Sequence, residues 1–392
     1  MFMGVSQRGE EPSDYQPARS MRVIETRRNP ATPRPGPPFH TSVAHRTLPD
    51  NRPMADQPAP HKRRPRYAGT HPRRFEEKYK ELDPGRHAGE LEKVRERGHT
   101  PAGTHRPICV REILEVLDPR PGEVGLDATL GYGGHAQELL ARLAPGGRLY
   151  GIDVDPLELP RTEARLRALG FTEEVLVLRR MNFAGLPGLL PESGALDFIL
   201  ADLGVSSMQI DNPARGFTYK ADGPLDLRLN PNRGRPASAL LRALSLEQLA
   251  DLLTELSDEP HARAIAQALH GQPVESTRQL AALVRQALGN AEDDLRGSLQ
   301  RTFQALRIAV NDELGVLDQF LAQLPAALKP GGRVAILTFH SGEDRRVKKA
   351  FQAGLREGVY GRIAPDPIRP SAEERRANPR SSSAKLRWAV KA

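Results

Sequence analysis

Cysteine, aromatic residues and long hydrophobic runs are scarce in this sequence of 392 residues. The single cysteine, Cys109, excludes an internal disulfide and any metal site built from several cysteines. It lies in the apolar run 108–110, where we expect a buried and unreactive thiol. No hydrophobic stretch reaches the roughly 20 residues of a membrane span, and no apolar segment follows the first charges as it would in a secretory signal. We therefore expect a cytoplasmic protein with no bound metal and no membrane partner.

Positive charge is concentrated at the N-terminal end. The formal net charge of the chain is +8, and residues 1–104 account for +7 of it. A basic excess of this kind indicates an anionic partner and favours nucleic acid. Most of the chain is therefore almost neutral, and the electrostatic signal belongs to a basic, proline-rich extension.

The extension itself has two parts. Residues 1–60 are rich in proline, serine and arginine and lack apolar periodicity, which predicts disorder. Farther on, Lys62–Tyr67 and Arg73–Phe75 interleave cations with aromatic rings. That mixture is suited to phosphate contact and base stacking, although a solvated basic arm without a specific role explains it equally well.

From residue 105 onward, short apolar segments alternate with amphipathic ones, including 135–143 and 161–169. Such alternation predicts an α/β fold whose parallel sheet is covered by helices on both faces. The segment Ala384–Val390 predicts one more strand, antiparallel, at the sheet edge. The other predicted strands are 123–129, 147–153, 174–179, 196–202 and 332–338.

The interval between the fourth and fifth of these strands is about 130 residues, far longer than one crossover helix requires. Two capping boxes, Ser245-x-x-Gln248 and Ser276-x-x-Gln279, each begin an amphipathic run inside it. The sequence therefore predicts a helical subdomain at 213–298, inserted into an α/β domain that is made of 105–212 and 299–392.

A glycine-rich loop follows the first predicted strand and reads Asp127-Ala-Thr-Leu-Gly-Tyr-Gly-Gly-His135. Glycine lets the backbone turn tightly and approach a ligand, and the N-terminus of the next helix attracts a carboxylate. Asp153, near the end of the second strand, is placed to accept hydrogen bonds from ribose hydroxyls. The spacing Gly131-x-Gly133-x-x-Ala136 also satisfies the dinucleotide fingerprint, so a nicotinamide-dependent oxidoreductase and a purely structural turn stay open.

Polar residues also end the fourth and fifth predicted strands. Asp202 ends the fourth, and His340 follows the fifth, at the edge where open α/β sheets bind ligands. The later segment Asp222–Arg228 predicts a defined loop, whose Asp–Arg pair has either a structural or a functional role. Arg301, Gln304, Arg307 and Asn311 share one helix face, which is suited to phosphates or a partner but equally to solvent.

Together these motifs resemble the RsmH (MraW) family of bacterial small-subunit ribosomal RNA cytosine-N4 methyltransferases. The likeness covers residues 105–392 in order, with two departures: Tyr132 stands where arginine is frequent, and Gly342 replaces the usual leucine. Its motifs are His105-Arg-Pro107, the loop Asp127–His135, Asp202-Leu-Gly-Val-Ser-Ser207, Gly223-Pro-Leu-Asp226, Arg301-Thr-Phe-Gln-Ala305 and Phe339-His-Ser341.

The resemblance implies a class I (Rossmann-like) methyltransferase sheet with an inserted helical subdomain for substrate recognition. The implied methyl donor is S-adenosylmethionine, and the implied substrate is the N4 amine of cytidine 1402 in the decoding centre of 16S ribosomal RNA. The implied donor contacts are Gly133, Gly134, His135, Asp153, Phe183, Asp202 and Gln209.

Methylation of an exocyclic amine requires alignment of the reacting atoms and an acceptor for the amine proton. We hypothesise that Asp202 hydrogen-bonds the amine, with His340 nearby. Besides the oxidoreductase, a non-catalytic RNA-binding or ribosome-assembly protein of the same fold stays open, as does the choice between monomer and homodimer. Contacts with the RNA substrate are expected from Ser206, Ser207, Arg215, Asp226, Arg228, Arg301, Arg307 and Ser341.

Overall fold

The computed structural model describes residues 107–289 and 292–392. The expectations for the basic extension 1–104, and for His105 and Arg106 of the first motif, fall outside these ranges. Across the described residues no helix is both long enough and apolar enough to cross a bilayer.

A twisted sheet forms the centre of the described chain. Its strands are β1 (Val124–Asp127), β2 (Arg148–Asp153), β3 (Leu176–Arg180), β4 (Leu196–Asp202), β5 (Leu328–Thr338), β6 (Tyr360–Ile363) and β7 (Lys385–Lys391). They are ordered β3-β2-β1-β4-β5-β7-β6. The strands β1 to β5 run parallel to one another, and β7 runs antiparallel to both β5 and β6. The five parallel strands predicted from the sequence are confirmed.

The expectation for the C-terminal strand is only partly right. β7 is antiparallel as predicted, but it lies inside the sheet, and the edge is formed by β6. β6 was not predicted, because this strand has only four residues, one of them Gly361, and they carry no clear alternation of apolar and polar side chains.

Helices cover both faces of the sheet and fill the long interval after β4. The bounds are α1 (Val110–Leu117), α2 (Gly134–Leu143), α3 (Glu158–Ala168), α4 (Leu190–Ser193), α5 (Ser207–Asp211), α6 (Ala237–Ala243), α7 (Leu246–Ser257), α8 (Ala262–Leu269), α9 (Thr277–Leu288), α10 (Glu292–Asn311), α11 (Glu313–Ala327), α12 (Ser341–Arg356) and α13 (Ala372–Ala377). Short 3₁₀ segments occur at Phe183–Gly188, Pro213–Arg215 and Pro379–Ser383. α3 begins before the predicted residue 161, because Asp155 accepts the otherwise unpaired N–H groups of Leu157 and Glu158.

Alternate side chains of the strands pack into two apolar clusters, one on each face of the sheet. On one face Ile199 of β4 belongs to the same cluster as Phe320 of α11. On the other face Phe198 and Leu200 of β4 pack in a cluster with residues of α1, α2 and α3, including Leu139. Burial on both faces fixes the register of β4, and with it the position of the side chain that ends this strand.

The helices after β4 have an apolar cluster of their own. It runs in sequence from Phe217 to Leu306 and includes buried side chains from α6, α7, α8, α9 and α10. Both predicted capping boxes are present at the starts of α7 and α9. The expected boundary at 298–299 lies inside α10, and Leu299 and Phe303, beyond that boundary, still pack in this cluster.

Candidate active site

Three aspartates end neighbouring parallel strands at one edge of the sheet: Asp127 on β1, Asp153 on β2 and Asp202 on β4. β1 lies between the other two, where the strand order reverses, and open α/β sheets bind ligands at such a point. Thr129 ties the strand ends together. Its Oγ1 accepts a hydrogen bond from the Asp202 N–H at 2.6 Å, and its own N–H donates to Asp127 Oδ1 at 3.1 Å.

The glycines of the loop after β1 face different surroundings. A Cβ on Gly134 would lie 2.4 Å from Cγ of Pro107, and one on Gly133 would lie about 3 Å from Thr162 and Leu166 of α3. A Cβ on Gly131 would meet only one backbone oxygen, at 3.7 Å. Two of the glycines thus allow protein segments to pack closely on the loop, and Gly131 faces open space. The predicted donor contacts of Gly133 and Gly134 stay predictions.

The two departures from the family pattern each have a local explanation. The Tyr132 ring lies under the guanidinium of Arg165, with 3.3 Å between Cζ and the ring centroid, a cation–π contact with α3. A Cβ on Gly342 would lie 3.1 Å from Nδ1 of His340. Glycine at this position therefore leaves room for the imidazole.

Asp153 holds the glycine loop while keeping acceptor capacity. Its Oδ2 accepts from the Gly131 N–H at 2.8 Å, and its Oδ1 accepts from the Asp155 N–H at 2.9 Å. Burial raises the pKa of this carboxyl group. Each carboxylate oxygen has a second lone pair, so Asp153 can still accept hydrogen bonds from ribose hydroxyls, as its predicted role requires.

Behind Asp153 lies a buried polar network that the sequence analysis did not predict. Asp155 is completely buried, and its Oδ2 accepts hydrogen bonds from Gln209 Nε2 and Arg215 Nη1, both at 2.7 Å. Arg215 Nη2 also donates to the carbonyl oxygens of Arg228 and Leu229. This network joins the end of β2 to the loop after β4 and to the start of the helical insertion.

Two predicted donor contacts have firm protein partners. Gln209 Oε1 accepts from the Ser206 N–H at 2.8 Å, and its Nε2 donates to Asp155, so both ends of this amide hold the loop after β4. Phe183 begins the 3₁₀ segment after β3, and its ring centroid lies 4.9 Å from that of Phe320. Phe183 is thus held by one aromatic neighbour, and the residue is partly exposed.

Asp202 has an acceptor atom without a partner. Its Oδ1 is shielded from solvent and receives no hydrogen bond from the described residues. Its Oδ2 lies 3.5 Å from Nδ1 of His135. Burial, with a smaller contribution from the negative charge of Glu343, raises the pKa of Asp202 to about 7. An acceptor of this kind is suited to an amine that brings its own N–H group.

His340 and its neighbours form a second polar group beside the strand ends. His340 Nε2 lies 3.2 Å from Glu343 Oε1, and Arg307 donates to both oxygens of Glu313 at 2.8 Å. Burial alone would raise the pKa of Glu343, but His340, the Phe339 N–H and Arg307 outweigh it and lower the pKa. The ligand atoms of Glu313, His340 and Glu343 lie within 4.8 Å of one another, so they could hold a small cation; Arg307 already supplies positive charge there.

The residues expected to contact RNA are mostly engaged with protein groups. Arg215 is paired with Asp155, Arg228 with Asp226, Arg301 with Glu259 and Asp294, and Arg307 with Glu313. Ser206 caps α5 through Gln209, Ser207 is its first helical residue, and Ser341 Oγ lies 3.2 Å from Asp258 Oδ2. Their placement favours a role in shaping the substrate side of the site over direct phosphate contact.

Two arginines that the sequence analysis passed over are better placed for phosphate. Arg233 and Arg235 are exposed on the loop before α6, and neither side chain makes an ion pair or hydrogen bond with the described residues. The loop is tied down by Arg228, whose Nη1 donates to the Gly234 carbonyl at 3.2 Å. In the sequence, Arg233 and Arg235 only flank a glycine between two prolines. Their availability for phosphate becomes visible only when the ion pairs of the other arginines are known.

A methyl-donor nucleoside fits the arrangement at the ends of β1, β2, β3 and β4. Asp153 offers acceptors for ribose hydroxyls, Phe183 offers a partly exposed ring, and Gly131 leaves open space beside the loop. The unpartnered Oδ1 of Asp202 lies on β4, across the strand-order reversal from Asp153 on β2.

Comparison with known proteins agrees with this arrangement. A model of the MraW methylase family matches residues 102–392. Ribosomal RNA small subunit methyltransferase H 2 of Alkaliphilus metalliredigens is 56% identical over 84% of this chain and 97% of its own length. Ribosomal RNA small subunit methyltransferase H 1 of Lachnoclostridium phytofermentans is 51% identical over 87% of this chain and 96% of its own length.

These matches decide between the interpretations that the glycine loop left open. A methylase family accounts for the whole of 102–392, including the segments on which the nicotinamide-dependent oxidoreductase was silent. The class I methyltransferase fold and the methyl donor S-adenosylmethionine, both expected from the sequence, are confirmed. The chain belongs to the RsmH (MraW) family of methyltransferases.

Proposed function

We propose that this protein methylates the exocyclic N4 amine of a cytidine in 16S ribosomal RNA, at position 1402 of the decoding centre. The names of its relatives support small-subunit ribosomal RNA as the substrate. The observation that carries the choice of an amine is Asp202, whose buried Oδ1 lacks a hydrogen-bond donor at the end of β4. An exocyclic amine supplies such a donor.

The protein's own residues have three tasks in this reaction. S-adenosylmethionine supplies an activated methyl group, and Asp153, Phe183 and the loop that contains Gly131 would hold its nucleoside. Asp202 orients the amine through a hydrogen bond and receives its proton. The amine of cytosine is a poor nucleophile because its lone pair is delocalised into the ring, so alignment contributes most of the rate enhancement.

His340 has a supporting place in the proposal. Its ring lies next to Glu343, and the negative charge of Glu343 in turn raises the pKa of Asp202. We assign His340 to the substrate side of the site, where a cytosine ring bound against Asp202 would approach the start of α12.

The helical insertion is the proposed recognition subdomain. A base that reacts on its exocyclic amine must be unstacked from its neighbours, and the protein has to hold the flanking backbone. Arg233 and Arg235 offer guanidinium groups for phosphates, on a loop that Arg215 and Arg228 connect to the donor side of the site. This connection supports a site that is completed by both parts of the chain.

The function is tested by measuring N4-methylcytidine at position 1402 in a strain that lacks the gene, by mass spectrometry of 16S ribosomal RNA. We expect the methyl group at N4 to disappear and to return when the wild-type gene is restored. Asp202→Asn should restore at most about 1% of the methylation rate in vitro, since a general base contributes about 10² to 10⁴ in rate. Its affinity for S-adenosylmethionine, measured by calorimetry, should change little.

The control is Asp251→Asn, a change of the same chemistry at an exposed position of α7. An unaltered level of N4-methylcytidine in the deletion strain would contradict the proposed substrate and favour the non-catalytic RNA-binding protein. Full turnover by Asp202→Asn would contradict the role of the carboxylate, but it would not contradict the proposed substrate.

A further inference from the structure

His135 ends the glycine loop and lies between a backbone carbonyl group and a carboxylate. Its Nε2 is 2.9 Å from the carbonyl oxygen of Ile108, and its Nδ1 is 3.5 Å from Asp202 Oδ2. The residue is only 7% exposed. The ring is therefore held in one orientation, with one nitrogen toward the segment before α1 and the other toward the end of β4.

The contact with Ile108 determines which nitrogen carries the hydrogen. A carbonyl oxygen can only accept, so Nε2 of His135 must donate. In a neutral imidazole the other nitrogen, Nδ1, is then an acceptor. Burial lowers the pKa of His135 and so favours the neutral ring. Asp202 is consequently faced by the lone pair of Nδ1.

An ionised carboxylate and a nitrogen lone pair repel each other, whereas a proton between them binds both. We propose that His135 is a positioning residue that increases the proton affinity of Asp202 during methyl transfer. The inference rests on the proposed function. In this proposal His135 acts on Asp202, the proton acceptor. The family resemblance instead implies a contact between His135 and the methyl donor.

Methyl transfer forms one bond, breaks one bond and releases one proton. The amine lone pair forms the N–CH3 bond while the S–CH3 bond breaks, and the electrons of that bond stay on sulfur. One N–H proton of the amine passes to Asp202, where it is shared with Nδ1 of His135. The proton then leaves to water through the partly exposed side of Asp202, whose side chain is 28% exposed.

The charges around the pair act in the same direction. The negative charge of Glu343 raises the pKa of Asp202, and acids on β1, α2 and α13 raise the proton affinity of His135. Those acids are Asp127, Glu138 and Glu374. These acids oppose the effect of burial on His135, so they favour a proton that is shared between Asp202 and Nδ1 of His135.

The first test is made on the protein alone, by NMR of a sample labelled with ¹⁵N-histidine. At pH 7.5 the signals of His135, assigned by their loss in His135→Gln, should show a neutral ring with hydrogen on Nε2. In Asp202→Asn the side-chain amide can donate to Nδ1, so the Nδ1 signal should shift upfield. A ring with hydrogen on Nδ1, or a doubly protonated ring, would overturn the proposal.

The second test separates proton transfer from donor binding. His135→Gln should bind S-adenosylmethionine within about threefold of the wild type and lose about tenfold to a hundredfold in kcat. A general base must be ionised, so the kcat–pH profile rises with the deprotonation of Asp202. Without Nδ1 this rise should move about one pH unit lower. The matched control is His270→Gln at an exposed position.

A merely structural loss would lower kcat at every pH without moving the profile, and it would overturn the proposal. Affinity for S-adenosylmethionine that weakens tenfold or more, with an unmoved profile, would assign His135 to the donor instead. If His135→Gln does not fold, as judged by circular dichroism, His135→Asn and the NMR result on Asp202→Asn decide. An inactive wild-type enzyme would refute the proposed function. The NMR experiment does not depend on activity, so it would still test the hydrogen position on His135.

Discussion

At the scale of single residues, glycine has two different roles in the loop after β1. Gly131 leaves open space at the strand ends, whereas Gly134 is needed because Pro107 packs against its backbone. Pro107 is followed by Ile108, whose carbonyl accepts the His135 hydrogen bond. The motif that ends at Pro107 thus influences the site through the backbone of the next residue.

Replacement of Gly134 by alanine should therefore disturb the catalytic side of the loop. The new Cβ would lie 2.4 Å from Pro107, so the segment 107–108 must shift, and the contact between Ile108 and His135 should lengthen. We expect a loss of about 1–3 kcal/mol in the free energy of unfolding, measured with urea, and a lower kcat.

Gly188→Ala is the control, because a Cβ there has no atom within 4 Å. If Gly134→Ala were as stable and as active as Gly188→Ala, the close packing of Pro107 would have no functional importance.

How much of the site could be predicted depends on whether the signal is local. Asp153, Asp202 and His340 were placed correctly at strand ends, because a polar residue directly after an apolar run is visible in the sequence. The partner of Arg215 was not visible, since Asp155 lies 60 residues earlier in the chain. Sequence spacing shows that an arginine is present, but it does not show whether a buried carboxylate already binds it.

At the scale of elements, the parallel strands have a local sequence signal, whereas the arrangement of the C-terminal strands depends on contacts between distant residues. β1 to β5 were predicted because buried strands are continuous apolar runs. The order of β6 and β7 depends on which neighbour each strand finds, and β7 pairs with β5 from Lys385 to Val390. Neither the place of β7 inside the sheet nor the continuation of α10 through the expected domain boundary has a local sequence signal.

The buried pair of Arg215 and Asp155 joins β2 to the insertion, and its removal should be costly. Arg215→Met leaves the Asp155 carboxylate buried without its cation, which typically costs about 3–5 kcal/mol. The double variant Arg215→Met with Asp155→Asn should recover a large part of that loss, because no uncompensated charge remains. Both free energies of unfolding are measured with urea.

Arg242→Met provides the comparison, since Arg242 forms an ion pair with Glu275 on the surface. Exposed pairs of this kind contribute about 0–1 kcal/mol. Equal losses for Arg215→Met and Arg242→Met would show that the network is not an important link between β2 and the insertion.

At the scale of the whole molecule, buried acids make the stability depend on pH. Asp127 is 1% exposed, and its burial raises the pKa from 3.8 to about 7 against the opposing effect of His135. The folded protein therefore holds this proton more tightly than the unfolded chain does. Between about pH 4 and pH 7 the unfolded state loses the proton first, so the free energy of unfolding falls as the pH rises through this window.

Asp127→Asn should remove this part of the pH dependence. Asparagine cannot ionise, and its Oδ1 can still accept the N–H of Thr129. The variant should gain stability relative to the wild type by about 3 kcal/mol between pH 4.5 and pH 8, since each unit of pKa shift corresponds to about 1.4 kcal/mol. Urea unfolding at both pH values measures the difference, with the exposed Asp251→Asn as the control. Parallel pH profiles for Asp127→Asn and the wild type would mean that burial does not raise the pKa of Asp127 in the folded protein.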